Sequence, residues 1–407
     1  MARIARPFDQ IARRLPLNDQ DHMMQITPFQ ISIPDFELAA LKTRLAQTRW
    51  PDTFDSAPWS LGTDMNYLRD LVDHWAGAYD WRATEARLNQ EPQFVAQVGD
   101  LAVHFVHRRG TGPKPYPLVI THGWPGSFIE FAELVPQLCD PASFGADPAD
   151  AFDVVVPSMP GYGFSERPSK PGMSVFAIAG LWVELMRGLG YARFGAQGGD
   201  LGAAVSIALA ANHAQHVDGI HLNFLPSSYA PGVAPDDPSI TQEERDFLAS
   251  KAVFADAEGA YAHMHATKPN TAAFALNDSP AGLAAWIVEK FRAWSDCDGD
   301  VERVFSKDQL LTDLSLYWHT QTIGSSMRLY AETRARPLRF EPGQRVTPPL
   351  GFARFPKEIS QPPRSWIERV FNVTQFADMP RGGHFAAMEQ PALLAEEIRR
   401  FFRPLRG

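Results

Sequence analysis

The sequence predicts an α/β fold whose mostly parallel central sheet carries helices on both faces, and three observations predict it. Short apolar runs alternate with helix-patterned stretches up to Phe224, the alternation then gives way to helical pattern alone, and it resumes from Thr347 to the last helix. Strand alternating with helix is the pattern by which a parallel sheet covers both faces.

The elements follow in order. Residues 1–27 are expected to form a flexible tail; they carry Arg3, Arg6, Arg13 and Arg14 and no glutamate. From Phe29 to Glu91 the pattern is helical, with Leu38, Leu41 and Leu45, then Leu68, Leu71 and Trp75, at three- and four-residue spacing, and with Trp50-Pro51 ending the first helix. Residues 28–100 therefore read as an N-terminal segment. Ala102 to Val106 and Pro117 to Ile120 read as strands, the second running into the turn His122-Gly123-Trp124-Pro125-Gly126. Phe152 to Val156 is a strand ending at Pro160-Gly161-Tyr162-Gly163. A helix over Val175 to Leu189, a short strand into Gly198-Gly199-Asp200 and an alanine-rich helix over Ala203 to Ala211 complete this half.

The proline- and aspartate-rich stretch Pro226 to Pro238 opens an insertion with helices over Ala281 to Trp294 and Leu310 to Thr333. Strands at Thr347 to Phe355 and Val370 to Phe376 and an amphipathic helix at Gln390 to Phe402 close the chain. A helical cap over 226–340 thus separates two halves, 101–225 and 341–407, of one catalytic domain. A cap above a sheet edge encloses a ligand cavity.

Composition narrows the function class. Lysine and arginine total 38 against 47 acidic residues, and a formal charge of −9 repels nucleic acid, so a small neutral ligand is the better match. Cys139 and Cys297 stand far apart without a partner motif, which argues against a disulfide framework or a cysteine metal site and for a reducing, cytoplasmic setting. No run reaches the roughly 18 apolar residues that cross a bilayer.

Chemistry concentrates at Gly198-Gly199-Asp200-Leu201-Gly202, where small neighbours permit a strained strand-to-helix turn that lifts one side chain above the sheet. That position holds aspartate instead of the usual serine. A carboxylate needs no base to attack, and its attack on a saturated carbon yields an ester that water can later cleave, whereas serine would leave an inert ether. An aspartate here therefore implies an sp³ electrophile such as an epoxide or alkyl halide. His384, in Arg381-Gly382-Gly383-His384-Phe385, follows the last strand and can take a proton from water. Glu358, in Phe355-Pro356-Lys357-Glu358-Ile359, lies on a loop after the preceding strand as the acid that orients the histidine, with Asp378 as its competitor. The backbone amides of Trp124 and Leu201 are candidates for an oxyanion hole, with the His122 and Trp124 side chains read as structural or pocket-lining.

With these residues in place the chain resembles the microsomal-type epoxide hydrolases, which combine an α/β-hydrolase fold with a family-specific N-terminal segment. The likeness runs from about Pro28 to the last helix and includes Trp50-Pro51, His122-Gly123-Trp124-Pro125-Gly126-Ser127, Gly198-Gly199-Asp200-Leu201-Gly202, Leu276-Asn277-Asp278-Ser279-Pro280 and Gly382-Gly383-His384-Phe385. It implies Asp200, Glu358 and His384 as nucleophile, acid and base, and an N-terminal segment that wraps the catalytic domain. It further implies two cap tyrosines that hydrogen-bond the epoxide oxygen, matched by Tyr261 and Tyr330, with Tyr317 and Tyr162 as alternatives. The substrate pair is then an epoxide and water, with no cofactor and no metal. A soluble cytoplasmic protein is expected, because the apolar anchor of membrane-bound animal members is not matched, and a homodimer is compatible with the reading.

Two rival functions are separable. A haloalkane dehalogenase shares the aspartate and histidine but commonly places an indole after the nucleophile, where this chain has Leu201. A catalytically silent binding protein of the same fold has no need of the full set. Asp296, Asp298 and Asp300 open like a calcium loop, yet Val301 and Lys307 occupy its glycine and glutamate positions. His263 and His265 read as surface residues of a cap helix.

Overall fold

A computed structural model describes residues 24–234 and 236–406, so most of the tail expected over 1–27 lies outside the described residues; its last two, Ile26 and Thr27, already belong to a strand. Nine strands form one sheet: β1 (Ile26–Phe29), β2 (Gln93–Val98), β3 (Leu101–Arg108), β4 (Tyr116–Thr121), β5 (Phe152–Pro157), β6 (Phe194–Gly198), β7 (Val217–Leu222), β8 (Val346–Arg354) and β9 (Phe371–Asp378). They are ordered β1-β2-β3-β5-β4-β6-β7-β8-β9. From β5 to β9 every neighbouring pair is parallel, while β1, β2 and β3 add an antiparallel edge. Parallel strands covered on both faces should be apolar throughout, and β5 (Phe-Asp-Val-Val-Val-Pro) is buried along its whole length.

Strand order sets where chemistry can sit. The chain leaves β4 for β5 on one side and returns past β4 to β6 on the other, which opens a crevice at the carboxyl ends of β4 and β6. Their register pairs Thr121 with Gly198, so the turn after β4 and the turn after β6 emerge side by side. The register of β8 with β9 pairs Arg354 with Asp378, and a further bridge joins Lys357 to Gly383. Adjacent parallel strands thereby carry the Glu358 and His384 loops to the same end of the sheet.

The cap comprises the helices Gln242–Ala257, Ala260–Thr267, Pro269–Leu276, Pro280–Trp294, Lys307–Thr320 and Ile323–Ala335. Its two necks are pinned together by a bridge between Ala230 and Arg339. The single helix expected over Leu310 to Thr333 is two helices, because Gln321 adopts a left-handed conformation with φ of 52° and ends the first of them. Apolar spacing continues across the break, and glutamine is not a breaker residue, so periodicity could not mark it.

The N-terminal segment does two jobs. Its β1 and β2 extend the sheet, whereas the helix Met65–Ala76 turns Leu68, Leu71, Val72 and Trp75 inward, each contributing roughly 1.5–3 kcal/mol on burial. This face meets the cap: the Trp75 indole donates to Ser315 Oγ at 2.9 Å and the Tyr79 hydroxyl to Thr312 Oγ1 at 3.2 Å. The segment thus covers the cap as well as lengthening the sheet. No helix among the described residues is long and apolar enough to cross a membrane.

The cap is also tied to the turn after β4. Tyr317 donates its hydroxyl to the Gly126 carbonyl at 2.9 Å, and Ser127 Oγ donates to buried Asp313 at 2.8 Å. Burial, only partly opposed by the Ser127 bond, pushes the Asp313 carboxyl from 3.8 up to about 7. Between those values the folded state holds a proton that the unfolded chain has lost, so stability falls as pH rises through this window. Asp313→Asn is expected to flatten the decline of the melting temperature from about pH 4 to about pH 7. An unaltered slope in the variant would assign that decline to other groups.

Candidate active site

Asp200 follows β6 after Gly199 and begins the helix Asp200–Asn212 with a φ of 46°. A left-handed conformation costs a non-glycine residue about 1–3 kcal/mol, and it persists here because the surroundings over-determine it. Gly202 lies so close to β4 that a Cβ would stand 1.9 Å from the Thr121 carbonyl oxygen. Gly123 leaves room for the acid itself, since a Cβ there would come within 2.3 Å of Asp200 Oδ1. The small residues of both motifs are thus what lets the two turns interlock.

The carboxylate is held at both oxygens. The Trp124 amide donates to Asp200 Oδ1 at 2.8 Å, and His384 Nε2 stands 3.3 Å from Oδ2. Leu201 lies in the first helical turn, where amides have no intrahelical acceptor. On its other side His384 bonds through Nδ1 to Glu358 Oε1 at 2.7 Å, and that oxygen also accepts the Ile359 amide at 2.7 Å. Both His384 and Glu358 are buried. Burial disfavours the imidazolium, but the charge and hydrogen bond of Glu358 together with those of Asp200 outweigh it and hold His384 well above its ordinary pKa. Burial likewise lifts the Glu358 carboxyl, against the opposing influence of His384 and the Ile359 amide.

Asp378, the competing acid, is at the exposed end of β9 and pairs with Arg354 at 2.6 Å. His122 is neutral: it is buried, its Nε2 accepts the Met159 amide at 3.2 Å, and desolvation lowers it to about 4.

The cap closes the site with aromatic rings. Trp124 stacks on Tyr261 at 5.2 Å and meets Tyr330 edge-on at 6.1 Å, and the two phenol rings meet each other edge-on at 5.9 Å. Burial raises both phenols above the ordinary tyrosine range, so they stay protonated. The alternatives are committed elsewhere, Tyr162 to the Ser326 carbonyl at 3.0 Å and Tyr317 to that of Gly126. Trp294 packs edge-on against the His384 ring at 5.1 Å and Phe224 at 5.4 Å.

Two supports were not legible as such in the sequence. Glu389 accepts the amides of Asp296 and Gly383 on one oxygen and that of Phe385 on the other, while Asp296 accepts the Gly382 amide. Together they fix the loop that presents His384, whose own amide donates to the Trp294 carbonyl at 2.9 Å. The one available signal was an acid five residues after the histidine. His265, expected on the surface, is fully buried: one helical turn beyond Tyr261 it shares that residue's inward face, and its Nε2 accepts the Trp286 indole at 3.1 Å. His263, two residues earlier, is exposed.

Comparison with known proteins gives a consistent result. The model of the epoxide hydrolase N terminus matches residues 26–131, and that of the α/β-hydrolase fold matches 116–257. Epoxide hydrolase 1 of Oryctolagus cuniculus is 37% identical over 92% of this chain and 88% of its own length. Among solved structures, the juvenile hormone epoxide hydrolase of Bombyx mori superposes with a TM-score of 0.82 at 28% identity, covering 94% of this chain and 95% of its own. The Aspergillus niger epoxide hydrolase does so with a TM-score of 0.81 at 32% identity, over 93% and 96% respectively.

Proposed function

The chain belongs to the epoxide hydrolase family, and from that premise we propose that it converts an epoxide and water to a vicinal diol through an ester on Asp200, later cleaved by water that His384 activates. The observation that carries this reading is the clamped carboxylate, with Oδ1 held by the Trp124 amide and Oδ2 facing His384 Nε2.

In the first step Oδ2 attacks a ring carbon, the carbon–oxygen bond of the epoxide breaks, and a phenol of the Tyr261–Tyr330 pair gives its proton to the departing alkoxide. Phenols held protonated by burial suit that role. In the second step water adds to Cγ of the ester, giving its proton to His384. The negative charge forms on Oδ1, where the Trp124 and Leu201 amides can receive it. Collapse expels the diol oxygen, which takes back the proton held by His384, and the second proton of the added water returns to the phenolate, leaving the carboxylate with one oxygen from solvent.

The electrostatics of His384 suit this order. In the resting state two carboxylates hold the imidazole in its charged form. Esterification neutralises Asp200, which removes one of them and moves the imidazole toward the neutral form that can act as a base. The base is thus released by the step that creates its substrate.

A single turnover in ¹⁸O-water with enzyme in excess tests the proposal. The first diol should carry little label and the peptide containing Asp200 should gain it, with labelled diol only in later turnovers. Direct attack of water on the ring would label the diol at once and leave the peptide unlabelled, and that outcome would overturn the nucleophile assignment.

A further inference from the structure

Lys290 is a charged residue with no part in the reaction described, yet it is 7% exposed and lies inside the cap on the helix Pro280–Trp294. Its ammonium sits 5.0 Å from the centre of the Tyr261 ring and 5.7 Å from that of Trp294. Glu289 pairs with it at 2.5 Å and Glu258 at 3.5 Å. Withdrawing an ammonium from water is costly even when it is paired, and an apolar side chain of similar volume would join these helices at least as well. The position of the charge is therefore the feature that needs a purpose.

We propose that Lys290 acts through Tyr261, as a positioning residue whose charge behind the phenol ring makes Tyr261 the stronger proton donor to the opening epoxide. This rests on the reading of Tyr261 as a donor to the ring oxygen. A cation over an aromatic face is attracted by the ring, and the attraction grows as negative charge develops on the phenolic oxygen in the transition state. Burial, the Asp200 charge and those of Glu258 and Glu289 all make the Tyr261 phenol a weaker acid. Lys290 opposes them from the ring face. His265, the other basic residue against this ring, is neutral, since burial and the neighbouring Lys290 lower it to about 3.

The test separates the two chemical steps by single-turnover kinetics. Lys290→Met should slow alkylation about 10-fold and leave hydrolysis of the accumulated ester unchanged, while Lys290→Arg should keep alkylation within about threefold of the parent. In a Tyr261→Phe background Lys290→Met should cause no further loss, because the group it acts through is gone. Glu258→Gln supplies a control of opposite sign. If the charge is what matters, removing a compensating carboxylate maintains or raises the alkylation rate; if the ion pair is only a strut, it lowers that rate as Lys290→Met does. This variant also decides the matter should Lys290→Met fail to fold. Equal slowing of both steps, a full Lys290→Met loss in the Tyr261→Phe background, or a slower Glu258→Gln would each overturn the inference. If Tyr261→Phe itself leaves ring opening unchanged, the donor role of Tyr261 fails instead, whereas a slow Tyr261→Phe beside an unaffected Lys290→Met removes Lys290 alone.

Discussion

Asp200→Ala is expected to abolish diol formation, lowering kcat by at least about 10⁴-fold, while the protein still folds. The neighbouring carboxyls do not substitute: burial raises Glu130 to about 8, which leaves it protonated and non-nucleophilic at neutral pH. Glu358 is committed to His384 Nδ1 and the Ile359 amide, and a methyl group can neither attack a ring carbon nor receive the Trp124 amide. Alanine is somewhat less at ease than aspartate in this left-handed conformation, but the conformation costs a single L-residue only about 1–2 kcal/mol in all, so the fold should survive the change. Removing the carboxylate also strips His384 of one of its two anionic neighbours, which should lower its pKa. The measurement is turnover by the purified variant beside its melting temperature. A folded Asp200→Ala protein that retains a tenth or more of the parent rate would refute the role of Asp200.

His384→Gln should have the second largest effect, and of a different kind. Alkylation needs an ionised Asp200 and a proton donor in the cap, neither of which His384 supplies, whereas ester cleavage needs a base for water. General-base assistance contributes typically 10²- to 10⁴-fold, so hydrolysis should slow by about that factor and the ester should accumulate. Mass spectrometry of the intact variant after incubation with an epoxide should show one added substrate mass, mapping to the peptide that carries Asp200. Substrate binding without any adduct would mean that His384 is needed before the ester forms. Glutamine is chosen because the site is closely packed, with Trp294 and Phe224 edge-on to the imidazole, and a smaller residue would open a void.

Much of this architecture was legible in one dimension because it depends on local pattern. The apolar run of β5 and the three- and four-residue spacing of the cap helices are periodicities, and periodicity survives without knowledge of neighbours. The strands β1, β2 and β7 were harder to see. β7 reads Val-Asp-Gly-Ile-His-Leu, and its Asp, Gly and His interrupt any apolar alternation, so its strand character comes from the ladders it makes with β6 and β8.

By itself the sequence determined the candidate residues and their order along the chain: an aspartate on a glycine-lined elbow, then an acid, then a histidine, with a helical insertion between the halves of a sheet. Residue type and local spacing carry that information. Tertiary structure alone decided which groups meet. The β8–β9 register sets Glu358 against His384 instead of Asp378, and the β4–β6 register sets the Trp124 amide against Asp200. Cap packing buries His265 and Lys290 around Tyr261, and Glu389 closes the loop beneath His384. The reason is physical: contacts across strands and between helices join residues far apart in the chain, and their energies depend on register and burial, which local composition does not encode.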